Sequence, residues 1–356
     1  MTAARRRPLP WWAELTALPL LNLMLALLLS GGVVLMTGAD PVAAVAALVR
    51  GAFGGAEAWG YTLYYATDMI FAGLAVAVAF HAGLFNIGVE GQAYLGGLGA
   101  ALVGLHAGGV PPWISVPAAV ASAALFGAAW AAIPALLQAQ RGSHIVITTI
   151  MFNFVAYALM TYLIAGPLIA PGQMDPGTRA FPGVALPQIG GTPLNAAFPL
   201  ALVCLALTYV LLWHTPAGYR LRAVGAAPRA AVYAGMVPGR VILWAMLLSG
   251  ALAGGVAANE VLGAQHKLLI GFTNGYGFTG IAVALMGRNH PAGILPAAIL
   301  FGALYQGGAE MAFDIPRISS DLVVVIQGLV ILTTGAAPFL LRPLLARLLH
   351  PLGAGR

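Results

Sequence analysis

The chain has 356 residues, of which 60% are hydrophobic and 7% are charged, and its formal net charge at pH 7 is +6. A typical soluble domain carries roughly a quarter charged residues, so this composition excludes an ordinary soluble protein and predicts an integral membrane protein. The basic residues lie between apolar stretches and form no single patch. This distribution favours a role in membrane orientation and argues against nucleic-acid binding.

The N-terminus combines three arginines, Arg5, Arg6 and Arg7, with a following apolar stretch at 17–36. This order of residues imitates a secretory signal. The apolar region of a signal peptide is about 7–15 residues long, whereas this stretch is long enough to cross a bilayer. We therefore predict a first transmembrane helix that is retained in the mature protein.

Ten apolar stretches follow one another along the chain. A helix rises about 1.5 Å per residue, so roughly 20 apolar residues cross a bilayer core about 30 Å thick. The stretches lie at 17–36, 61–80, 93–108, 113–137, 145–166, 196–213, 241–262, 277–287, 292–308 and 321–341. The sequence therefore predicts an all-α integral membrane protein, a polytopic helical bundle of about ten transmembrane segments, some of them short or broken. We predict a single domain over 1–356, with 17–341 embedded in the lipid bilayer.

The distribution of Lys and Arg predicts the orientation. With ten crossings both termini share one side, and the loops of that side hold twelve of the sixteen Lys and Arg residues. Because loops rich in Lys and Arg stay in the cytoplasm, we predict that the N- and C-termini are cytoplasmic. The proline-rich segment 167–195 then forms an extended external loop, and 41–50 forms a short helix along the outer interface.

An unusually polar stretch, "GLFNIGVEGQAYLG", begins at Gly83. It contains Asn86, Glu90 and Gln92, which we predict to line a substrate pathway. An acidic side chain at mid-bilayer costs about 2.5–3.5 kcal/mol on insertion scales, so Glu90 needs a partner or a wet cavity. The alternative is a helix-connecting turn, with Asn86 as a cap and Glu90 near a helix N-terminus. The two interpretations can coexist.

A second irregular stretch, "GFTNGYGFTGIAVALMGRNHPAGI", covers 271–294. Its apolar part, 277–287, would span only about 16 Å as a helix. Short segments interrupted by glycine indicate the substrate pathway of a transporter, so Asn274, Tyr276 and Thr279 are candidate pathway residues. The alternative is close helix packing through glycine.

Two further acids lie within predicted spans. Asp68, in "YYATDMIF", is the deeper one, and we predict that it faces the bundle interior or a cavity as a pathway residue. Glu260, in "AANEVLG", lies near the outer end of its helix, where facing water and being buried both remain open. Gly250 and Gly254 have the small-xxx-small spacing of packed membrane helices.

The sequence contains no catalytic signature. It has no Gly-Lys pair and hence no Walker loop, it has no HExxH motif, and its single cysteine, Cys204, excludes an internal disulfide. We therefore predict a transport protein that is not an enzyme, with no catalytic residue, metal or cofactor of its own. Uphill transport then requires an ion gradient or a separate motor subunit.

The longest internal loop, 214–240, reads "HTPAGYRLRAVGAAPRAAVYAGMVPGR". Its Gly225 and Pro228 predict two short helices around a turn. An orienting basic loop is one interpretation, and a cytoplasmic docking element for a motor subunit is the one that we favour. The candidate coupling residues are Gly218, Tyr219, Arg220, Arg222, Gly225, Arg229 and Gly235.

This loop resembles the coupling segment of ABC importer permeases of the ribose and branched-chain amino-acid type. The stretches "FNIGVEGQ", "EVLG", "GFTGIAVALMGRNHPAGI" and "IQGLVIL" resemble the nucleoside and simple-sugar permeases within that family, over 61–341. The resemblance implies a subunit of the bacterial cytoplasmic (inner) membrane that imports a nucleoside or a simple sugar. It also implies three partners: a cytoplasmic ATPase subunit that binds ATP and Mg, a second related permease, and an extracytoplasmic substrate-binding lipoprotein.

A secondary transporter or channel remains the alternative. In that case Asp68 or Glu90 would be the proton or sodium site, which intramembrane acids support. The docking-like loop weighs against it.

Overall fold

The computed structural model describes residues 18–172 and 176–349, so Arg5, Arg6, Arg7 and Arg356 lie outside the described residues. In the described part of the chain the regular structure is helical, and β-pairing is limited to two isolated bridges, Gly177 with Leu269 and Gln188 with Asn195. The all-α prediction is confirmed.

The helices follow the predicted apolar stretches closely. They are α1 Leu18–Met36, α2 Pro41–Phe53, α3 Ala56–His81, α4 Val89–His106, α5 Pro112–Arg141, α6 Ile145–Ala165, α7 Ala197–His214, α8 Pro216–Ala226, α9 Pro228–Tyr233, α10 Pro238–Ala257, α11 Tyr276–Met286, α12 Pro291–Asp314 and α13 Ser320–Leu349. A π-helix, Ala258–Gln265, continues α10. The described part of 167–195 contains no helix, as its prolines predict.

Six described helices are long and apolar enough to cross a membrane: α3, α5, α6, α7, α10 with its π-helical continuation, and α12. A seventh span results if Met24–Met36 and Pro41–Phe53, which are bent by 117°, count as one. Helix α11 has 11 residues and is a shorter apolar helix. A multi-pass membrane protein with short or broken helices is therefore confirmed. The count of ten crossings and the cytoplasmic side of the termini stay predictions.

The chain forms two compact units. One combines the chain up to Ala52 with the chain from Leu304 onward; its described core includes Val34, Met311 and Ile326. The other unit is Phe53–Ala303, and it contains every candidate site residue.

Within the second unit, α5 and α10 pack backbone to backbone. A Cβ added to Gly250 would lie 2.7 Å from the Cβ of Ala131 and would meet the carbonyl oxygen of Gly127. A Cβ on Gly254 would lie 2.6 Å from the carbonyl carbon of Ala123. The small-xxx-small spacing is therefore a helix-packing feature, as predicted.

Replacing Gly250 with alanine is expected to destabilise the protein by about 1–3 kcal/mol, the usual cost of overpacking, because the backbone of α5 cannot move away locally. The measurement is the midpoint of thermal unfolding in detergent. Gly328→Ala in α13 is the control, since an added Cβ there has no atom of a described residue within 4 Å. Equal midpoints for the two variants would contradict this prediction, because they would show that α5 shifts to make room for the added Cβ.

Candidate functional site

Asn86 stabilises the turn between α3 and α4 through its side-chain hydrogen bonds. Its Oδ1 accepts a hydrogen bond from the Gly88 amide at 2.8 Å, and its Nδ2 donates to Gln92 Oε1 at 3.1 Å and to Ser249 Oγ at 2.9 Å. Ser249 in turn donates to the Ala75 carbonyl oxygen at 2.7 Å. Asn86 and Gln92 therefore lie together, buried, and join the start of α4 to α10. This geometry fits the helix-connecting turn; a pathway role for the two residues stays a prediction.

Asn153 of α6 forms hydrogen bonds with the backbone at the N-terminus of α4. Its Oδ1 accepts from the Gly91 amide at 2.9 Å, and its Nδ2 donates to the Ile87 carbonyl oxygen at 2.9 Å. The bond from Gly91 satisfies one of the amide groups that a helix N-terminus leaves without an intrahelical partner, and the bond to Ile87 ties the turn before α4 to α6. Sequence reasoning missed Asn153, although a single Asn in the apolar stretch 145–166 was an available signal.

Glu90 joins the start of α4 to the start of α11. Its Oε1 accepts from Thr273 Oγ1 at 2.5 Å and from the Gly275 amide at 3.1 Å, and its Oε2 accepts from the Gly277 amide at 2.8 Å. Gly275 precedes α11 in the left-handed region, with φ of 76°, which directs these amides at the carboxyl group. An acidic group at a helix N-terminus is favourable. The two irregular stretches that the sequence singled out are therefore in direct contact, through Thr273, which the sequence reasoning missed.

Glu260 is buried, with 2% of its surface exposed, so the interpretation in which it faces water is wrong. The hydroxyl of Tyr64 donates to its Oε1, and Gln265 Nε2 donates to its Oε2 at 3.0 Å. The π-helix that carries Glu260 has a wider turn than an α-helix, and such turns often occur at functional sites. Nothing local in the sequence predicted this turn.

Asp68 lies fully buried on α3. Asn259 Nδ2 donates to its Oδ2 at 2.8 Å, and the amide oxygen of Asn259 accepts from Asn195 Nδ2 at 2.9 Å. The Asp68 carboxyl group interacts directly with that of Glu260. As predicted, Asp68 therefore faces the bundle interior, and its hydrogen-bond donor, Asn259, lies on the π-helix and is itself bonded to the external segment through Asn195.

The remaining pathway candidates differ in burial. Tyr276 is buried and lies within the range of electrostatic interaction with Asp68 and Glu260, and Thr279 is buried within α11. Asn274 is exposed in a left-handed conformation with φ of 43°. We call Tyr64, Asp68, Asn259, Glu260 and Tyr276 the acidic cluster.

The segment 214–240 folds as the two predicted short helices, α8 and α9. Thr215 accepts a hydrogen bond from the Gly218 amide at 3.1 Å and caps α8. On the exposed side lie Tyr219, 60% exposed, and Tyr233, 94% exposed. Arg220, Arg229 and Gly235 are exposed as well.

Gly225 of α8 packs on the turn that follows α3. A Cβ on Gly225 would lie 2.8 Å from the Gly83 amide nitrogen and 2.9 Å from the Ala82 carbonyl carbon, and it would meet the His81 carbonyl oxygen. Gly83 is in the left-handed region, with φ of 76°. The backbone of α8 at Gly225 therefore contacts the backbone at Gly83, which lies three positions before Asn86 in the chain.

Arg222 points inward from α8. Its guanidinium lies 5.9 Å from the ring centroid of Trp213, within cation–π range. The Trp213 ring lies 5.3 Å from the His81 ring and 4.5 Å from the His290 ring, which stands between α11 and α12. Sequence reasoning missed Trp213 and His290, because no local pattern pairs them with Arg222.

A family model described as the permease component of the branched-chain amino acid transport system matches residues 58–334. The glucose ABC transporter permease protein TsgB13 of Haloferax volcanii is 35% identical over 347 residues, 92% of this chain and 88% of that protein. The guanosine ABC transporter permease protein NupP of Bacillus subtilis is 35% identical over 330 residues, 91% of this chain and 94% of that protein. A second guanosine permease of the same organism, NupQ, is 29% identical over 258 residues, 68% of this chain and 78% of that protein. The chain therefore belongs to the permease-component family of the branched-chain amino acid transport system.

Proposed function

We propose that this chain is the membrane-spanning subunit of an ABC importer that moves a nucleoside or a simple sugar into the cell. The names of similar permeases, glucose for one and guanosine for two others, support this solute class. The observation that carries the proposal is the backbone contact between Gly225 and the turn at Gly83, because it joins the predicted docking helices to the buried polar residues.

The contact suggests how ATP hydrolysis in a separate subunit acts on the helices. Displacement of α8 would move the turn after α3. Asn86 and Glu90 lie only a few residues further along the chain, so they would move with this turn. Glu90 is bonded to the start of α11, so the displacement reaches both broken segments. Nucleotide can drive this change only if it binds the inward-open and outward-open states with different affinities.

The assembly that we propose has three partners. The occurrence of two guanosine permeases in one organism supports pairing with a second, related permease. A cytoplasmic ATPase binds ATP and Mg, and an extracytoplasmic lipoprotein delivers the solute; this chain acts as a single permease domain without cofactor or enzymatic activity of its own. In the bacterial inner membrane, the termini and 214–240 face the cytoplasm and 167–195 faces outward, in keeping with the distribution of arginines.

An ion-coupled transporter is the second candidate, and the buried acids Asp68 and Glu260 favour it. The two candidates differ in the source of energy. Energised vesicles that contain this chain but no ATPase take up solute only if the second candidate holds.

Sidedness and docking are tested together by cysteine substitution in a Cys204→Ser background. Tyr233→Cys, at a site 94% exposed, is expected to react with a membrane-impermeant thiol reagent from the cytoplasmic side and to cross-link to the ATPase in the assembled complex. Ile189→Cys, at a site 45% exposed in the external segment, is the control and is expected to react only from outside. Labelling of Tyr233→Cys from outside, or the absence of any cross-link to the ATPase, would contradict the proposal.

A further inference from the structure

In the part of the chain that the structure describes, the two carboxyl groups of the acidic cluster have no basic partner. Among the described residues, the titratable side chains near enough to Asp68 to interact with it electrostatically are Tyr64 on its own helix, Glu260 on the π-helix and Tyr276 on α11. All four are buried. Two ionised carboxylates in contact, with no cation beside them and little water, repel each other strongly, and such pairs hold one proton between them.

The hydrogen bonds show which oxygen is free for that proton. Both oxygens of Glu260 accept, from Tyr64 and from Gln265, and Asp68 Oδ2 accepts from Asn259. The orientation of the Asn259 amide is fixed, because its oxygen accepts from Asn195 and its nitrogen also donates to the Tyr64 carbonyl oxygen at 3.2 Å. Asp68 Oδ1 receives no hydrogen bond in the described part of the chain.

We propose that the acidic cluster is a proton-binding site in which Asp68 Oδ1 carries a proton and donates it towards Glu260. Every other carboxyl oxygen of the pair already accepts a hydrogen bond from a neighbouring donor, so a proton at Oδ1 displaces none of them. The ligand is the proton itself, and the site does not depend on which solute the chain transports.

The two acids lie on different elements, α3 and the π-helical continuation of α10. A conformational step that separates these elements breaks the shared proton bond. The proton is then released, or a second one is bound, so the step responds to pH. In Asp68→Asn, the side-chain amide can still donate a hydrogen bond towards Glu260, but it cannot release a proton. We therefore expect the variant to fold and to lose uptake.

Infrared spectroscopy of the purified full-length chain at neutral pH tests the site directly. We expect the C=O stretching band of a protonated carboxylic acid, shifted by 13C labelling of aspartate side chains and lost in Asp68→Asn. Glu57→Gln, at an exposed position in the first turn of α3, is the control and is expected to keep the band. Absence of the band in the wild type, its persistence in Asp68→Asn, or a shift only with labelled glutamate would overturn the proposal.

Thermal unfolding in detergent gives a second, independent comparison. Asp68→Asn is expected to keep the wild-type midpoint, because its amide donates where the proton did. Glu260→Gln is expected to lower the midpoint, because it places an amide group opposite the donors Tyr64 and Gln265. The reverse order would place the proton on Glu260 and overturn the assignment to Asp68.

Discussion

Replacing Glu90 with glutamine is expected to destabilise the protein by about 2–4 kcal/mol and to abolish uptake, because buried donors lose their acceptor. The carboxyl group accepts from Thr273, Gly275 and Gly277. Glutamine has one acceptor oxygen, and its amide nitrogen would face a backbone N–H. The start of α11 would then no longer be held against α4. Thermal unfolding in detergent and solute uptake by vesicles measure the two effects.

Thr273→Val is the matched control for this prediction. It removes one donor from Glu90 and leaves the two backbone bonds in place, so the expected loss is smaller, about 1 kcal/mol. Glu90→Gln could instead unfold at the wild-type temperature and need more solute for half-maximal uptake. That result would show that Glu90 binds solute and does not hold the start of α11 in place.

Local properties of the sequence predicted the helices well. Apolar length is such a property, so all ten apolar stretches appear as helices, and α11 has the short length expected from the glycines around it. The break between α8 and α9 likewise follows from Pro228, which has no amide hydrogen to donate. Whether each helix crosses the membrane also depends on tilts and bends, such as the 117° bend between α1 and α2, and no local pattern encodes these.

The site was predicted only in part, because its contacts join residues far apart in the chain. The sequence indicated that Glu90 needs a partner in the membrane, but Thr273 lies 183 residues away. Glu260 illustrates the limit more sharply. Its position near a helix end left exposure and burial equally open, and burial results from a π-helical turn and from Tyr64, 196 residues distant.

Replacing Gly225 with alanine is expected to lower solute-stimulated ATP hydrolysis and uptake by roughly fivefold to more than a hundredfold, since overpacking costs of about 1–3 kcal/mol correspond to such factors. The added Cβ would lie 2.8 Å from the Gly83 nitrogen and 2.9 Å from the Ala82 carbonyl carbon. Both neighbours are backbone atoms and cannot rotate away as a side chain could. Helix α8 must therefore shift from the turn after α3. The measurement is ATP hydrolysis by the reconstituted complex, with the amount of inserted permease determined in parallel.

Gly239→Ala separates this effect from the general consequences of an added methyl group. Its Cβ would lie 3.5 Å from the Ala139 Cβ, an ordinary van der Waals distance, so normal hydrolysis is expected. If Gly225→Ala also hydrolyses ATP and imports solute normally, the turn at Gly83 does not transmit the motion of α8. Another described connection from α8 is Arg222 over Trp213, whose ring lies 4.5 Å from that of His290 in the turn between α11 and α12. Loss of coupling in Trp213→Leu but not in Gly225→Ala would assign transmission to that aromatic contact.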